Sequence, residues 1–554
     1  MVEHHEAMAA REHGIFPPLR EGWMSPAFRA RFASLCVLAF VAASLAAPRA
    51  ALAQQENAWR SAGRAAVARA RALDSGSAKR AKNLILFVGD GMGISTITAA
   101  RIFDGQRHGK LGEENELAFE SFPYVALAKT YSVNAQVSES AATMTALVTG
   151  VKTRADVVGL DERGVPGDYT SVERSRARTL VEEAEARGLS TGIVTTTRIT
   201  HATPASCYAH AAHRDWEDDS MLPADARAAG FPDIARQFVE FEIGDGIDVA
   251  FGGGRAQFLP KRAKDPEHPG EVGARTDGRD LVAAWQGHHP QGSWVWNRSD
   301  FDALGASTAG PVLGLFEPSH MRFEFERGED TAGEPSLSEM TAKAIELLAR
   351  NPRGYVLIVE SGRIDHAHHF GNAFRALGET VELSNAVRVA HALVKQDETL
   401  LIVTADHSHV LTIAGYPTRG NDILGLARGN DGHGDPELTP LRDMLGLPFT
   451  TLSYANGPGY TGRSVEQPEG AKHYPHNPSG YAGIRKGRPK LSDAEVREPD
   501  YLQEATVPAR NDTHSGEDVP IYATGPGAAL FHGVQEQSFV YHAAAFALGW
   551  TESR

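Results

Sequence analysis

Three short segments of this chain combine carboxylates with imidazoles at spacings that can hold a metal ion. In the segment 360–369, Asp365 and His369 are four residues apart and would share one face of a helical turn. A carboxylate and an imidazole presented together suit zinc. The other two segments contribute Asp406, His407 and His409, and Asp512 and His514. For each segment the alternative is an exposed polar turn that binds no metal.

A serine and an arginine elsewhere in the chain could attack and bind an anionic group. Ser140 is followed by small residues, which suits the start of a helix, where free backbone N–H groups attract an anion. Arg214 lies in a polar stretch, and a guanidinium can contact a phosphate through two hydrogen bonds. Considered alone, Ser140 could equally cap a helix, and Arg214 could be a solvated surface residue.

Four apolar runs predict the buried strands that would position these residues. They span 83–88, 190–197, 355–360 and 399–406. Helical patterns separate them, and apolar strands that alternate with helices predict an α/β fold with a central, mostly parallel sheet flanked by helices on both faces. Three runs end at or lead into a carboxylate, namely Asp90, Glu360 and Asp406. Because ligands of such folds bind at the carboxyl ends of the strands, these acids predict a functional site there.

The composition excludes several classes of protein. The chain has 554 residues, with 55 Lys and Arg against 70 Asp and Glu, and a formal net charge of −15. Such an acidic balance argues against a general nucleic-acid-binding role, which needs a basic surface. Only 2 cysteines are present, too few for a disulfide-based scaffold or a four-cysteine zinc site. The 23 histidines and the many carboxylates are sufficient to build metal sites instead.

The N-terminal segment 1–53 has the features of a secretory signal peptide. Two arginines precede the uncharged run 32–47, and a small-residue motif suited to cleavage ends at Ala53. The run is short for a membrane span, which needs about 20 apolar residues, although a retained anchor is the alternative. We expect export to the periplasm or the extracellular space and no stable membrane anchor after cleavage. Met24 would give a more usual signal length than Met1.

Helical and irregular stretches complete the mature chain. Residues 55–82, 175–187 and 337–350 show apolar positions at helical spacing, and 55–82 predicts a surface helix. The stretch from about 420 to 505 is rich in Gly, Pro, Asn and charged residues and has few apolar runs. It predicts an inserted, irregular subdomain.

Together, these segments resemble those of the alkaline phosphatase family. The resemblance extends from Asn83 to about Leu548. It is carried by NLILFVGDGMG, TGIVTTTRITHATPASCYAH, VESGRIDHAHH, VTADHSHV, GEDVPIYATGP, FGGG, GLFEP and GVQEQ. The chain is more similar to the animal-type branch, because His201 stands where other branches have Asp. The resemblance implies a catalytic domain over 54–554, a crown-like insertion at about 420–505, and a homodimer, the typical state of the family.

The resemblance also implies a role for each residue of a catalytic site. Ser140 matches the nucleophile, and Arg214 matches the arginine that binds the phosphate. The metal ligands would be Asp365, His369 and His514 for a first zinc, Asp90, Asp406 and His407 for a second zinc, and Asp90, Thr203 and Glu360 for a magnesium ion. His201 and His409 would support these ligands from just outside the metal sites. Glu139, which precedes the nucleophile, departs from the Asp that is usual in the family.

Members of the animal-type branch also carry a calcium ion. The matching ligands in this chain are Glu267, the carbonyl oxygen of Phe316, Glu317 and Glu334. Glu334 stands where Asp is usual. Oxygen ligands of this kind suit calcium. The alternative is a solvated acidic patch without a metal.

The resemblance implies an exported, metal-dependent phosphomonoesterase that acts on small phosphate monoesters. Ser140 would attack the phosphate to form a phosphoseryl intermediate, and a zinc-bound water would hydrolyse it, releasing inorganic phosphate and an alcohol. A phosphodiesterase or nucleotide pyrophosphatase of the same superfamily is one alternative, although such enzymes normally use a threonine nucleophile and lack the magnesium ligands and Arg214. A non-catalytic metal- or phosphate-binding protein is another, but it would need an incomplete site.

Overall fold

The computed structural model describes residues 57–73 and 79–550. The predicted signal peptide, residues 1–53, lies outside the described residues, and so do its predicted cleavage site and Met24. No helix in the described ranges combines the length and the apolar character needed to cross a membrane.

Short and long strands are spread along the whole described chain. They are β1 Asn83–Gly89, β2 Tyr124–Lys129, β3 Ser190–Arg198, β4 Val249–Gly253, β5 Ser293–Val295, β6 Val312–Leu315, β7 Tyr355–Ser361, β8 Thr399–Ala405, β9 Ser408–His409, β10 Leu411–Ile413, β11 Leu452–Gly457, β12 Lys472–His473, β13 Tyr501–Leu502, β14 Ala505–Pro508, β15 His514–Ser515, β16 Val519–Thr524 and β17 Gly533–Glu536. The four predicted strands are present as β1, β3, β7 and β8, each within one residue of its predicted end.

Helices connect most of the strands. They are α1 Ala58–Leu73, α2 Ile94–Arg107, α3 Ser140–Thr149, α4 Val172–Ser175, α5 Leu180–Ala186, α6 Ala202–Ala205, α7 Ala224–Ala228, α8 Ile234–Val239, α9 Arg255–Phe258, α10 Leu281–His288, α11 Arg298–Ala303, α12 Leu337–Leu348, α13 Arg363–His369, α14 Ala373–Leu393, α15 Asp493–Val496 and α16 Phe539–Ala547. Four short 3₁₀ helices, Ala118–Ser121, Tyr169–Ser171, Arg327–Glu329 and Ala528–Leu530, complete the set in this part of the chain.

A ten-stranded sheet forms the centre of the fold. Its order is β17-β2-β16-β8-β1-β7-β3-β4-β6-β5. Every pair in it is parallel except those of β16, which runs antiparallel to both β2 and β8. The strands β1, β7 and β8 are buried along their whole length, as their continuous apolar sequences predict for a sheet covered on both faces. The predicted α/β fold with a mostly parallel sheet is confirmed.

Two helix predictions were wrong in extent. The helix expected over 175–187 is interrupted, because α4 ends at Ser175 and α5 begins at Leu180. The side chain of Thr179 accepts the N–H of Glu182, and the side chain of Glu182 accepts the N–H of Thr179, so a capping box starts a new helix there. The helix expected over 55–82 is shorter, since α1 ends at Leu73 and residues 79–82 are not helical.

The stretch 420–505 contains little regular structure. Its elements are three short strands, β11 to β13, the one-turn helix α15 and the start of β14. A small core of its own, formed by Leu426, Leu491, Val496 and Tyr501, packs inside it. The irregular character that the composition predicted is thus present, whereas its identity as a crown insertion stays a prediction.

Candidate active site

Three carboxylates meet where the central strands end. Asp90, Glu360 and Asp406 are buried at the carboxyl ends of β1, β7 and β8, which are neighbours in the sheet. Burial and the charges of neighbouring carboxylates raise the pKa of Asp90 well above its usual value. Burial above all raises the pKa of Asp406 to about 6 and that of Glu360 to about 7. Such a group of buried anions is stable only where cations or protons offset its charge.

Ser140 lies beside this acidic group. It is the first residue of α3, a helix whose residues are buried throughout. Its Oγ is 3.4 Å from Oδ1 of Asp90 and 3.2 Å from Nε2 of His407. The same imidazole nitrogen is 3.3 Å from Asp90 and 3.4 Å from Asp406. The structure thus brings together the three residues predicted for the second zinc, with the Ser140 hydroxyl at their edge.

The residues predicted for the first zinc converge on Asp365. Its Oδ1 lies 3.3 Å from Nε2 of His369 and 3.3 Å from Nε2 of His514, and the two nitrogens are 3.2 Å apart. The other nitrogen of each ring contacts a backbone carbonyl, that of Asp512 for His369 and that of Ser138 for His514. These contacts turn both Nε2 atoms towards Asp365, so three ligand atoms are directed at one point.

A short two-stranded ribbon carries His514 to this point. β15 pairs antiparallel with β9, which places His514 opposite His409. His409 in turn contacts Oδ1 of Asp365 at 2.6 Å through Nε2 and Oδ1 of Asp512 at 2.9 Å through Nδ1. Burial lowers the pKa of His409, but the two carboxylates outweigh it and raise the pKa to about 10. His409 therefore lies directly against a predicted zinc ligand, as expected of a supporting residue.

Asp512, which stands in the third of the candidate metal-binding segments but received no role from the family resemblance, belongs to this group. Its side chain is fully buried and contacts both His409 and His369. Burial raises the pKa of Asp512, but the two imidazoles overcome this and lower it below the usual value. The carboxylate is thus a charged partner that orients two imidazoles. The signal for it was its position two residues before His514.

We expect the substitution Asp512→Asn to weaken zinc binding while preserving the fold. The amide keeps the size of the side chain but loses the charge that orients His369 and His409. Removing such an orienting group should lower metal affinity by about 10- to 100-fold. Bound zinc, measured by elemental analysis at graded free zinc concentrations, tests this. Asp397→Asn, at a side chain that is 70% exposed, is the control, and equal zinc affinity of the two variants would contradict the prediction.

The residues predicted for magnesium form a third group that also includes Asp90. Oγ1 of Thr203 is 3.5 Å from Oδ2 of Asp90, and Glu360 accepts a hydrogen bond of 3.2 Å from Thr197. Oε1 of Glu360 and Nδ1 of His201 are buried without a hydrogen-bond partner among the residues that the structure describes. Ligand atoms of Asp90, His201 and Glu360 lie within 4.8 Å of one another. Their unpartnered atoms fit a bound cation, and His201 is close enough to approach it.

Two histidines that the sequence analysis did not assign pack against His201. The rings of His320 and His366 have centroids 4.2 Å apart, and they lie 5.3 and 5.5 Å from the ring of His201. Burial above all lowers the pKa of all three well below its usual value, which favours neutral imidazoles. His366 follows Asp365 directly, but no spacing in the sequence marks His320.

Glu139 holds Arg214 at the start of α3. Its carboxylate accepts the backbone N–H groups of Ala141 and Ala142 at 2.8 and 2.9 Å, and it contacts Nη1 of Arg214 at 2.6 Å. Nη2 of the same guanidinium lies 3.2 Å from Nε2 of His201. Burial raises the pKa of Glu139, but Arg214 and the N–H groups outweigh it and keep the pKa below its usual value. Glu139 is therefore an anion that caps the helix and positions the arginine.

A separate acidic group contains three of the residues predicted for calcium, namely Glu267, Glu317 and Glu334. Ligand atoms of Glu267, His268 and Glu317 lie within 4.8 Å of one another. Glu334 accepts the backbone N–H of Arg322 at 2.9 Å, and its other oxygen is buried without a hydrogen-bond partner in the described part of the chain. Burial, followed by the charge of Glu317, raises the pKa of Glu334 to about 9. A solvated acidic patch would not have buried, unpartnered oxygens, so the group fits a cation site.

Comparison with known proteins gives one consistent result. The family model described as alkaline phosphatase matches residues 81–550. The tissue-nonspecific alkaline phosphatase of Gallus gallus is 46% identical over 475 residues, which is 84% of each chain. The alkaline phosphatase of Gadus morhua is 42% identical over 484 residues, covering 86% of this chain and 94% of its own.

Solved structures share the fold. The alkaline phosphatase of Thermus thermophilus has a TM-score of 0.58 and 25% identity, covering 86% of this chain and 93% of its own. That of the Antarctic bacterium TAB5 has a TM-score of 0.55 and 23% identity, covering 86% of this chain and all of its own.

Proposed function

Because the chain belongs to the alkaline phosphatase family, we propose that it is a phosphomonoesterase in which Ser140 is the nucleophile. One observation carries the assignment of the site. The hydroxyl of Ser140 lies within 3.5 Å of Asp90 and His407, at the buried start of a helix. Both predicted zinc sets and Arg214 surround this point.

Several of the residues described above would hold metal ions. One zinc would be held by Asp365, His369 and His514, and a second zinc by Asp90, Asp406 and His407. A magnesium ion would be held by Asp90, Thr203 and Glu360, and a calcium ion by Glu267, Phe316, Glu317 and Glu334. When bound, such ions supply Lewis-acid stabilisation and lower the pKa of a serine hydroxyl and of water. The buried, unpartnered atoms of Glu360, His201 and Glu334 support this assignment.

The protein's own groups bind and orient the phosphate. The dipole of α3 favours an anion next to Ser140, while the N–H groups of Ala141 and Ala142 are already donated to Glu139. Nη1 of Arg214 uses one N–H on Glu139, and Nη2 uses one on His201. Each of the two nitrogens carries a second N–H, which can reach a phosphate oxygen. Attack by Oγ of Ser140 forms the Oγ–P bond and breaks the bond to the alcohol. Water then cleaves the phosphoserine and releases inorganic phosphate.

Hydrolysis assays with two substrates test this function. We expect the protein to cleave p-nitrophenyl phosphate in preference to bis-p-nitrophenyl phosphate, and to lose activity in EDTA. A preference for the bis-ester would favour a phosphodiesterase. Absence of EDTA-sensitive activity on both substrates would favour a metal- or phosphate-binding protein. The placement of Arg214 against Glu139, where it can contact the terminal oxygens of a monoester, supports the monoesterase.

Glu139→Asp should change phosphate binding more than it changes stability. Aspartate is one methylene shorter, so it can still cap α3 but cannot also reach Nη1 of Arg214 at 2.6 Å. We expect inhibition by inorganic phosphate to change by about 3- to 10-fold, which corresponds to one weakened charge-assisted hydrogen bond. The inhibition constant and kcat measure this effect. Glu173→Asp, at a glutamate whose side chain is 88% exposed, is the control, and the idea fails if neither quantity differs from the unchanged protein.

Export and dimerisation are also part of the proposal. The predicted signal peptide 1–53 supports export to the periplasm or the extracellular space. The typical state of the family supports a homodimer, in which α1 would contact the partner. Light scattering on the purified protein and N-terminal sequencing of the exported form test these two proposals.

A further inference from the structure

Asp330 is a buried carboxylate that the proposed mechanism does not use. Its side chain is only 1% exposed, and both of its oxygens lack a hydrogen-bond partner within the described ranges. It directly follows the 3₁₀ helix Arg327–Glu329, in the segment between β6 and α12. Because a buried carboxylate without partners is strongly destabilising, something must offset its charge.

The closest carboxylates around Asp330 are those of the calcium group. Arg322 joins three of them, because its Nε lies 3.8 Å from Oδ1 of Asp330 and 3.2 Å from Oε1 of Glu317, and its backbone N–H is donated to Glu334. Glu267 and Glu334 each have one further buried oxygen without a hydrogen-bond partner among the described residues. Four unpartnered carboxylate oxygens therefore lie in one small region.

The positive side chains nearby do not balance these acids. Arg255 contacts Glu267 at 3.1 Å, but its guanidinium is already paired with Asp265 through two bonds of 2.7 and 2.8 Å. Nε of Arg322 is 3.8 Å from Oδ1 of Asp330, beyond hydrogen-bond distance. The same Nε already donates to Glu317 at 3.2 Å, so this one arginine does not offset the four carboxylates of Asp330, Glu267, Glu317 and Glu334. A divalent cation with oxygen ligands is the simplest group that would offset it.

We propose that Asp330 is an additional ligand of the calcium ion, beside Glu267, Phe316, Glu317 and Glu334. The inference rests on the calcium site proposed above and adds a residue that lies in none of the segments that carry the family resemblance. Calcium takes about 6–8 oxygen ligands and binds more tightly as the number of charged ligands rises. With Asp330 the site has four carboxylates, and the two unpartnered oxygens of Asp330 gain a cation.

Calcium binding by the Asp330→Asn variant tests the proposal. The full-length holoenzyme is dialysed at fixed free zinc and magnesium over a range of free calcium, and bound calcium is measured by elemental analysis. We expect the variant to bind calcium at least about tenfold more weakly, because one charged ligand is lost. Glu329→Gln, at the exposed neighbouring acid, is the matched control and should bind calcium like the unchanged protein. Equal affinity of Asp330→Asn and the control would overturn the proposal.

The melting temperature separates a ligand from a structural residue. Without calcium, Asp330→Asn should melt at or above the temperature of the unchanged protein, because an uncompensated buried charge has been removed. With saturating calcium it should gain less stability than the unchanged protein. Equal losses under both conditions would overturn the proposal. Asp330→Ser is a second neutral variant, and failure of both variants to fold without calcium would also overturn it, since it would show a structural role.

The same samples distinguish this inference from the proposed function. Hydrolysis of p-nitrophenyl phosphate depends on Ser140 and the zinc and magnesium ligands, whereas bound calcium reports on the group around Asp330. An unchanged protein that hydrolyses the monoester but takes up no calcium would overturn the inference and the calcium site on which it rests, but not the proposed phosphomonoesterase activity. A protein that binds calcium but hydrolyses no monoester would overturn the proposed function instead.

Discussion

Replacing Ser140 by alanine should abolish the hydrolysis of p-nitrophenyl phosphate while leaving the fold and the metal content intact. Ser140 is 2% exposed, and alanine fits at the start of a buried helix of small residues. The proposed metal ligands Asp90 and His407 keep their contact with each other, and His407 keeps its contact with Asp406. Only the attacking oxygen is lost.

The expected loss in kcat is about a thousandfold or more, the scale seen when a nucleophile that acts together with its activating groups is removed. Steady-state rates, together with elemental analysis of the same preparation, measure it. Ser384→Ala is the matched control, because Ser384 is equally buried and its hydroxyl accepts the backbone N–H of Ala118. Near-normal turnover in Ser140→Ala with full metal content would refute the assignment of the nucleophile.

Removal of the metals should destabilise the protein, and increasingly so as the pH rises from 7 to 9. In the metal-free protein, burial raises the pKa of Asp406 to about 6, of Glu360 to about 7 and of Glu334 to about 9. An acid whose pKa is higher in the folded than in the unfolded state stabilises the fold while it is protonated. That contribution is complete below the unfolded pKa near 4 and is lost as the pH rises through the folded value.

At pH 8 we expect the free energy of unfolding of the metal-free protein to be lower than that of the metal-loaded protein by on the order of a few kcal/mol. Metal-loaded protein should show a much weaker pH dependence, because its ligands are already anionic and paired with cations. Calorimetric melting of EDTA-treated and metal-loaded protein at pH 7, 8 and 9 measures both. Glu379, whose pKa burial raises to about 8, is not a ligand and contributes equally to both forms. Equal melting temperatures of the two forms at pH 8 would refute the prediction.

Local sequence patterns were sufficient to place the predicted ligands on the correct elements. Asp90, Glu360 and Asp406 follow apolar runs, and the ends of parallel strands that neighbour one another must lie close together. The i, i+4 spacing of Asp365 and His369 on α13 was likewise visible in the sequence. These predictions succeeded because periodicity and strand ends are properties of short segments.

The residues that were missed depend on contacts between distant segments. Asp330 is brought to Glu267 by a long irregular segment, and His320 packs on His366 although the two are far apart in sequence. No period or spacing encodes such contacts. Asp512 is a different case, because it lies in the same candidate metal-binding segment as His514. Only its fully buried contact with His409 in the structure indicates that it orients an imidazole. The break before Leu180 could have been predicted from the Thr179 and Glu182 capping pair.

The position of β16 in the central sheet has a consequence for how the protein is made. This strand comes late in the chain, yet it lies between β2 and β8, and the ribbon strand β15 with His514 comes just before it. During synthesis the sheet stays open, and the first zinc set lacks a ligand, until these late residues have emerged. Pairing between strands that are far apart in the sequence makes folding slow. The proposed first zinc site is therefore complete only in a chain that has almost completely emerged, and truncations that remove β16 should yield no soluble, metal-loaded fragment.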